Sequence, residues 1–169
     1  MTAFRIWLKS IELNLSPAGE ADLDVDCMEK LDLVVGSFHS ALRRIPDQTE
    51  RYLAALENPH VDILGHPRGR VYNYRAGLNA DWPRIFARAA ELEKAIEIDS
   101  YPDRQDLNLA LIKEAKKAGC MVAIDTDAHS PDQLWFVEYG LAAAAQAKFP
   151  AERIVNFMDA ERLREAFHR

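Results

Sequence analysis

Short runs rich in Val, Ile and Leu recur along this chain, and stretches with helical periodicity separate them. That alternation constrains the fold more than any other feature. Strands joined through helices pair in parallel, and the helices must cover the sheet they connect. The strand candidates are residues 4–15, 31–38, 61–65, 95–99 and 121–125, with a weaker one at 153–156. Their apolar character suits buried parallel strands. The helical stretches carry their own end signals. Asp47 has Glu50 three residues on, a capping-box spacing, and Pro59 ends that helix. Pro83 sits in a first turn, and Trp82, Ile85, Phe86, Ala89 and Leu92 then share one face. A further stretch starts at Asp103 and stops at Gly119, another opens with Ser130 and Pro131, and Asp159 caps a short last one.

The bulk numbers set bounds. A chain of 169 residues fits one domain, residues 1–169, and 49% hydrophobic with 28% charged residues supports a packed core. No apolar run approaches the ~20 residues of a membrane span. The start has a lone Arg5 and no small-residue cleavage site, so it does not read as a signal peptide. Cys27 and Cys120 lie in unrelated contexts, and a reduced, cytoplasmic chain is the simpler expectation. A formal net charge of -6 weakens nucleic-acid binding by charge alone, yet it suits an acidic site that takes its positive charge from metal ions.

In parallel β/α folds, chemistry gathers at the carboxyl ends of the strands. The polar residues follow that rule. Glu12 sits late in the first strand, and His39, His66, Glu97 with Asp99, and Asp127 follow the next four. Positions 12, 39, 66, 97 and 127 are 27, 27, 31 and 30 residues apart, each about one β/α unit. Two imidazoles and a carboxylate, from His39, His66 and Glu12, form a ligand set for zinc or a similar divalent ion. Asp127 and His129 add a second carboxylate and imidazole two positions apart, which share a face if the backbone is extended. Arg68 and Arg70 directly follow His66, and Arg104 follows the Glu97 strand. An arginine on that rim can fork onto a phosphate.

Each residue has a plainer reading. A histidine after a strand can be a capping or hydrogen-bonding group. Asp127 can start the turn before Ser130. Glu12 can be one polar position of an alternating strand, Glu97 can pair with a neighbouring strand, and any one arginine can belong to a surface ion pair. His60 precedes its strand, on the rim opposite His66, and His168 lies at the C-terminus; both read as structural or solvated.

The segments "VVGSFHS", "NPHVDILGHPRGR", "IEIDSYPDRQDL" and "IDTDAHS" resemble the PHP (polymerase and histidinol phosphatase) superfamily over roughly residues 4 to 147. "GHPRGR" with "PDRQDL" is similar to the PHP domain of bacterial family X DNA polymerases, and also to free-standing PHP phosphoesterases. The resemblance implies an α/β fold, a distorted seven-stranded (β/α) TIM-like barrel, with up to three divalent ions; zinc, manganese and iron all occur in the family. It implies that Glu12 bridges two ions and that His39 and His66 complete one ion's shell. Asp127 then serves the neighbouring ion and His129 the third. Glu12, Asp127 and His129 are thereby cast as catalytic, and Arg68, Arg70 and Arg104 as substrate-binding. The implied reaction is hydrolysis of a phosphomonoester or processing of a DNA 3′ end, so the expected partner is a phosphorylated small molecule or DNA. The family opens with a His-x-His strand and further histidines that have no counterpart here. The chain therefore resembles the C-terminal two-thirds of the domain, an incomplete barrel with fewer ions. That departure leaves two alternatives: a weak or inactive metal-binding remnant, or part of a DNA repair polymerase. An open barrel edge also implies self-association as a homo-oligomer.

Overall fold

The structure, a computed structural model, describes residues 7–167. The start of the first expected strand, with Phe4 and Ile6, and His168 lie outside the described residues. Five parallel strands form one sheet: β1 (Ser10–Asn14), β2 (Leu33–Ser37), β3 (Ile63–Gly65), β4 (Ala95–Asp99) and β5 (Met121–Asp125). Between and after them lie helices α1 (Val25–Met28), α2 (Thr49–Glu57), α3 (Trp82–Glu91), α4 (Leu109–Ala118), α5 (Val137–Gln146) and α6 (Ala160–Phe167). The strand order follows the chain, β1-β2-β3-β4-β5. Among the described residues β1 pairs only with β2 and β5 only with β4, so the sheet is open. No helix among them is long and apolar enough to cross a membrane.

Period-two alternation splits each strand between two layers. On one side Leu13, Val34, Leu64, Ile96, Val122 and Ile124 pack with Tyr52, Leu56, Ile85, Phe86, Ile112 and Ala144 from α2 to α5, which is the main core. On the other side Ile63, Ala95, Met121 and Ala123 pack with Val155 and Phe167, and Leu33, Val35 and Leu163 join them. Helix α6 and the turn before it thus cover the lower half of the inner face. Toward the carboxyl ends the same face turns polar, through Ser37, Glu97 and Asp99, all buried.

The helix ends show how local chemistry and tertiary demand divide the work. Asp81 caps α3, its carboxylate accepting the Arg84 N–H, with Pro83 in the first turn. Gly119 ends α4 at φ 82, where a side chain would be strained. Asp159 accepts the Arg162 N–H at the start of α6. Elsewhere the expectations need correction. The Asp47/Glu50 capping box does not form: Asp47 accepts the Thr49 N–H, while Glu50 pairs across to Arg84 at 2.8 Å. The cap of helix α4 lies five residues beyond Asp103, at Asn108, whose side chain accepts the Leu111 N–H. Asp106 is buried before it and its backbone pairs with Asp99, which holds residues 101–107 as a loop. The stretch opening at Ser130 begins as a 3₁₀ helix, Pro131–Phe136, before α5.

Residues 153–156 form no sixth strand. They lie across two 3₁₀ turns, Ala151–Arg153 and Val155–Phe157, with one bridge from Ile154 to Val122. The physical reason is that a side chain takes over the pairing. Asn156 Oδ1 accepts the Ile124 N–H at 2.7 Å, and its Nδ2 donates to the Ile124 carbonyl at 2.7 Å. One amide thereby satisfies both backbone groups that β5 would otherwise leave open on its edge. Asn156→Ala is therefore expected to cost about 1–3 kcal/mol and to speed amide exchange at Ile124. Urea denaturation with residue-resolved exchange checks this, and unchanged protection at Ile124 would show that the edge is held by other means.

Candidate metal centre

Three consecutive β/α units bring Glu12, His39 and His66 together. Their ligand atoms lie within 4.8 Å of one another, and among the described residues no other such group of His, Cys, Asp or Glu forms. Both imidazoles aim at one carboxylate oxygen. Glu12 Oε1 lies 3.1 Å from His39 Nε2 and 2.9 Å from His66 Nε2. The two rings meet edge to face with centroids 5.1 Å apart. Glu12 and His39 are about half exposed, whereas His66 is buried. The group therefore stands at the mouth of the rim with His66 as its inner wall.

Tautomers decide what can lie between these groups. His39 Nδ1–H donates to Asn14 Oδ1 at 2.5 Å. A neutral ring then presents a lone pair at Nε2, facing the carboxylate, and two lone pairs repel unless a cation lies between them. A proton is one such cation; hydrogen bonds from His39 and then His66 hold the Glu12 carboxyl well below the usual range. For His66, burial opposes the charge, but the hydrogen bond and charge of Glu12 outweigh it and the pKa rises. A divalent ion is the other. Ligands about 2.0–2.1 Å from a tetrahedral zinc stand roughly 3.3 Å apart, close to the N···O separations seen here. An imidazole oriented through Nδ1 by a side-chain oxygen is also the usual support of a metal ligand. The donor set fits a divalent ion.

The loop after β3 holds the inner wall in place. His66 has φ 21, a strained value for a residue with a side chain. Its N–H donates to the buried Glu97 carboxylate. Tyr52 O–H donates to the Pro67 carbonyl at 2.5 Å. Asp106 Oδ2 accepts the N–H of Arg68 at 2.8 Å and that of Arg70 at 3.4 Å. Gly65 gives the approach: a Cβ there would run into the Ser37 hydroxyl.

The other expected site residues stand apart from the triad. Asp127, at φ 45, lies in an ion pair with Arg104, whose Nη2 is 2.7 Å from Asp127 Oδ2; the Nε of Arg104 is 3.8 Å from Asp99 Oδ2. His129 is largely exposed; its Nδ1–H donates to the Asp127 carbonyl at 2.7 Å, which leaves Nε2 free to act as a donor atom. Arg68 Nη2 donates to the Ala76 carbonyl, so its side chain braces the loop. His60 lines a cavity of ≈ 420 Å³ with Glu29 and Phe167, away from the triad. Reading the chain alone missed Asn14 and Asp106. Asn14 was findable, since it lies two residues beyond Glu12 on the same strand face.

Carboxylates crowd the β4–β5 rim. Burial pushes Glu97 well up, and the charge of Asp125 and a hydrogen bond to it add to this. Burial likewise raises Asp106. Asp99 is pushed up to about 7, first by burial, against the Tyr101 N–H and Arg104, which favour its charge. Ser37 Oγ, His66 Nδ1, Asp99 Oδ2 and Asp106 Oδ1 are buried here without a hydrogen-bond partner. Such a concentration of unsatisfied atoms marks a place that a ligand can complete. A carboxyl whose pKa rises on folding favours the fold below its unfolded value of about 4, and loses that contribution as pH climbs through its folded value. Asp99→Asn keeps the acceptor for the Tyr101 N–H. It is expected to raise Tm at pH 8 by a few degrees, with the gain shrinking as pH falls from 7 toward 4. Thermal unfolding across that range checks it, and a pH-independent difference would show that Asp99 does not titrate in this window.

No protein-family model matches the chain. It is 34% identical over 155 residues to the DNA polymerase/3'-5' exonuclease PolX of Bacillus subtilis, covering 90% of this chain and 27% of that protein. It is 29% identical over 160 residues to a probable phosphatase of Thermoanaerobacter pseudethanolicus, covering 88% of this chain and 63% of the phosphatase. A probable phosphatase of Shewanella pealeana is 31% identical over 160 residues, with 88% and 61% covered. The chain thus spans about a quarter of the polymerase and less than two thirds of the phosphatases. By sequence it is related to a bacterial polymerase/exonuclease and to probable phosphatases, over most of its own length and part of theirs.

Proposed function

We propose that this chain is a PHP-type, metal-dependent phosphoesterase domain, acting on a phosphomonoester or a nucleic-acid 3′ end. The observation that carries the reading is the convergence of Glu12, His39 and His66 at the ends of three successive β/α units. Relatives named as phosphatases and as a polymerase/exonuclease support the reaction class. In this reading the open sheet is an arc of the distorted PHP barrel. The outer edge of β1, which pairs with no strand among the described residues, supports self-association.

Glu12, His39 and His66 would hold a divalent ion, zinc or manganese by donor type. The chemistry such an ion supplies is polarisation of a phosphoryl oxygen and activation of water. The protein's part is positional. Asn14 fixes the His39 ring, and Glu97 fixes the backbone of His66. Arg104 lies beside the acidic rim, where a phosphate can compete with Asp127 for its guanidinium. His129 offers Nε2 to a second ion or to a leaving oxygen. One observation favours a weaker form of the reading: Asp127 is paired with Arg104 and His129 stands outside the triad, so among the described residues one ligand set is assembled. A single-ion site forgoes part of the charge stabilisation that neighbouring ions give, and slow hydrolysis follows.

The test uses the purified chain. Elemental analysis after metal-supplemented expression is expected to find about one ion per chain. Hydrolysis of a chromogenic phosphate ester with manganese is expected to fall more than ~100-fold in His66→Ala and to be unchanged in His60→Ala. Equal rates in the parent and His66→Ala proteins would assign the activity to a contaminant and remove the reading.

A further inference from the structure

Two rim loops beside the triad carry arginines that form no ion pair with a carboxylate among the described residues, although the Asp106 carboxyl acts on Arg68 and Arg75. Arg43 and Arg44 follow His39, and Arg68, Arg70 and Arg75 follow His66. Residues 67–80, "PRGRVYNYRAGLNA", hold three arginines and no acidic residue in a chain of net charge -6. Among the described residues the ion pairs involve Arg84, Arg88, Arg104 and Arg153, and none of these five. The guanidiniums crowd one another: burial first, then the charges of Arg104 and Arg43, lower the pKa of Arg75.

The second loop is built as a rigid display. Val71 and Arg75 pair their backbones, with Val71 N–H donating to the Arg75 carbonyl at 2.9 Å and Arg75 N–H returning to Val71 at 2.8 Å. Asn73 turns the tip at φ 56, a conformation that asparagine tolerates. Tyr72 N–H donates to the Asp103 carbonyl at 2.6 Å, which ties the tip to the loop after β4. Tyr72 and Tyr74 flank the tip, 64% and 66% exposed. The Arg43 guanidinium stacks 4.3 Å from the Tyr74 ring centroid, and Arg43 Nη1 donates to the Tyr74 carbonyl. A groove of ≈ 350 Å³ runs between the loops, lined by Arg43, Arg44, Ile45, Tyr74 and Arg75.

Arginines held by backbone carbonyls and outside any carboxylate ion pair, beside exposed rings on a preformed hairpin, match one kind of partner. A single nucleic-acid strand offers phosphates to the arginines and unstacked base faces to the tyrosines. A duplex hides those faces. We propose that the hairpin Val71–Arg75, with Arg43 and Arg44, binds a single DNA or RNA strand and presents its end to the neighbouring triad. The strand's destination rests on the phosphoesterase reading; its binding does not.

Fluorescence anisotropy of a labelled oligothymidylate, with the full chain in EDTA, tests the surface without any ion. Saturable binding is expected, and Tyr72→Ala/Tyr74→Ala is expected to weaken it at least ~10-fold. Each of Arg43→Gln and Arg44→Gln is expected to lower the slope of log K against log salt by about 0.7. A duplex of equal length should bind more weakly. Hydrolysis of the chromogenic phosphate ester by the tyrosine variant is expected to match the parent. Three results overturn the proposal: no saturable binding at low salt, equal affinity of the tyrosine variant, or a tyrosine-dependent dimer in light scattering. Hydrolysis without strand binding would remove this proposal alone. Strand binding without hydrolysis would remove the phosphoesterase reading and keep the surface.

Discussion

A carboxyl group buried in protein must find hydrogen-bond partners, and in this chain two of them find donors in the backbone of one loop. Glu97 accepts from His66, and Asp106 accepts from Arg68 and Arg70. These contacts fix the exit from β3 against its own preference, since His66 sits at φ 21. The cost of that backbone is small beside the cost of leaving either carboxylate without a donor. With His66 held, its Nε2 can meet Glu12 across two strands. The triad therefore depends on residues that are not among its ligand set.

The same loop links chemistry to display. Tyr52 catches the Pro67 carbonyl from the helical side of the sheet, and Arg68 braces Ala76. Packing in the main core, where Tyr52 meets Phe38 and Trp82, thus reaches the rim through one hydroxyl. Five of the seven non-glycine residues with positive φ among those described lie in loops that follow strand carboxyl ends: Ala41, His66, Asn73, Gln105 and Asp127. Unfavourable backbone geometry is concentrated where the polar residues are.

Much of this was legible in the chain because it is written locally. Apolar runs at intervals of about one β/α unit located β2 to β5, and the residues after them located the rim. Pro83, Gly119 and Asp159 marked helix ends by chemistry that acts within a turn. What stayed hidden depends on partners far along the chain. Asn156 takes the place of a strand because Ile124, distant in sequence, offers it both backbone groups. The helix expected from Asp103 is delayed because Asp106, buried and bonded to the loop of Arg68 and to Asp99, holds residues 101–107 as a loop. Glu50 leaves its capping position for Arg84. For Asp127 the spacing gave the rim but not the neighbour, because only the folded loops bring Arg104 to it.

The hairpin between Val71 and Arg75 closes on itself through its own backbone pairs, and its tip is tied down by a main-chain contact from Tyr72. Side chains at its tip can therefore be exchanged, or the turn lengthened, with little effect on the strands that carry Glu12, His39 and His66. Selection can act on what the rim grips separately from what the centre does to it. A lineage built on this scaffold can change its clientele by rewriting a few codons within one connection while its reaction machinery is inherited intact.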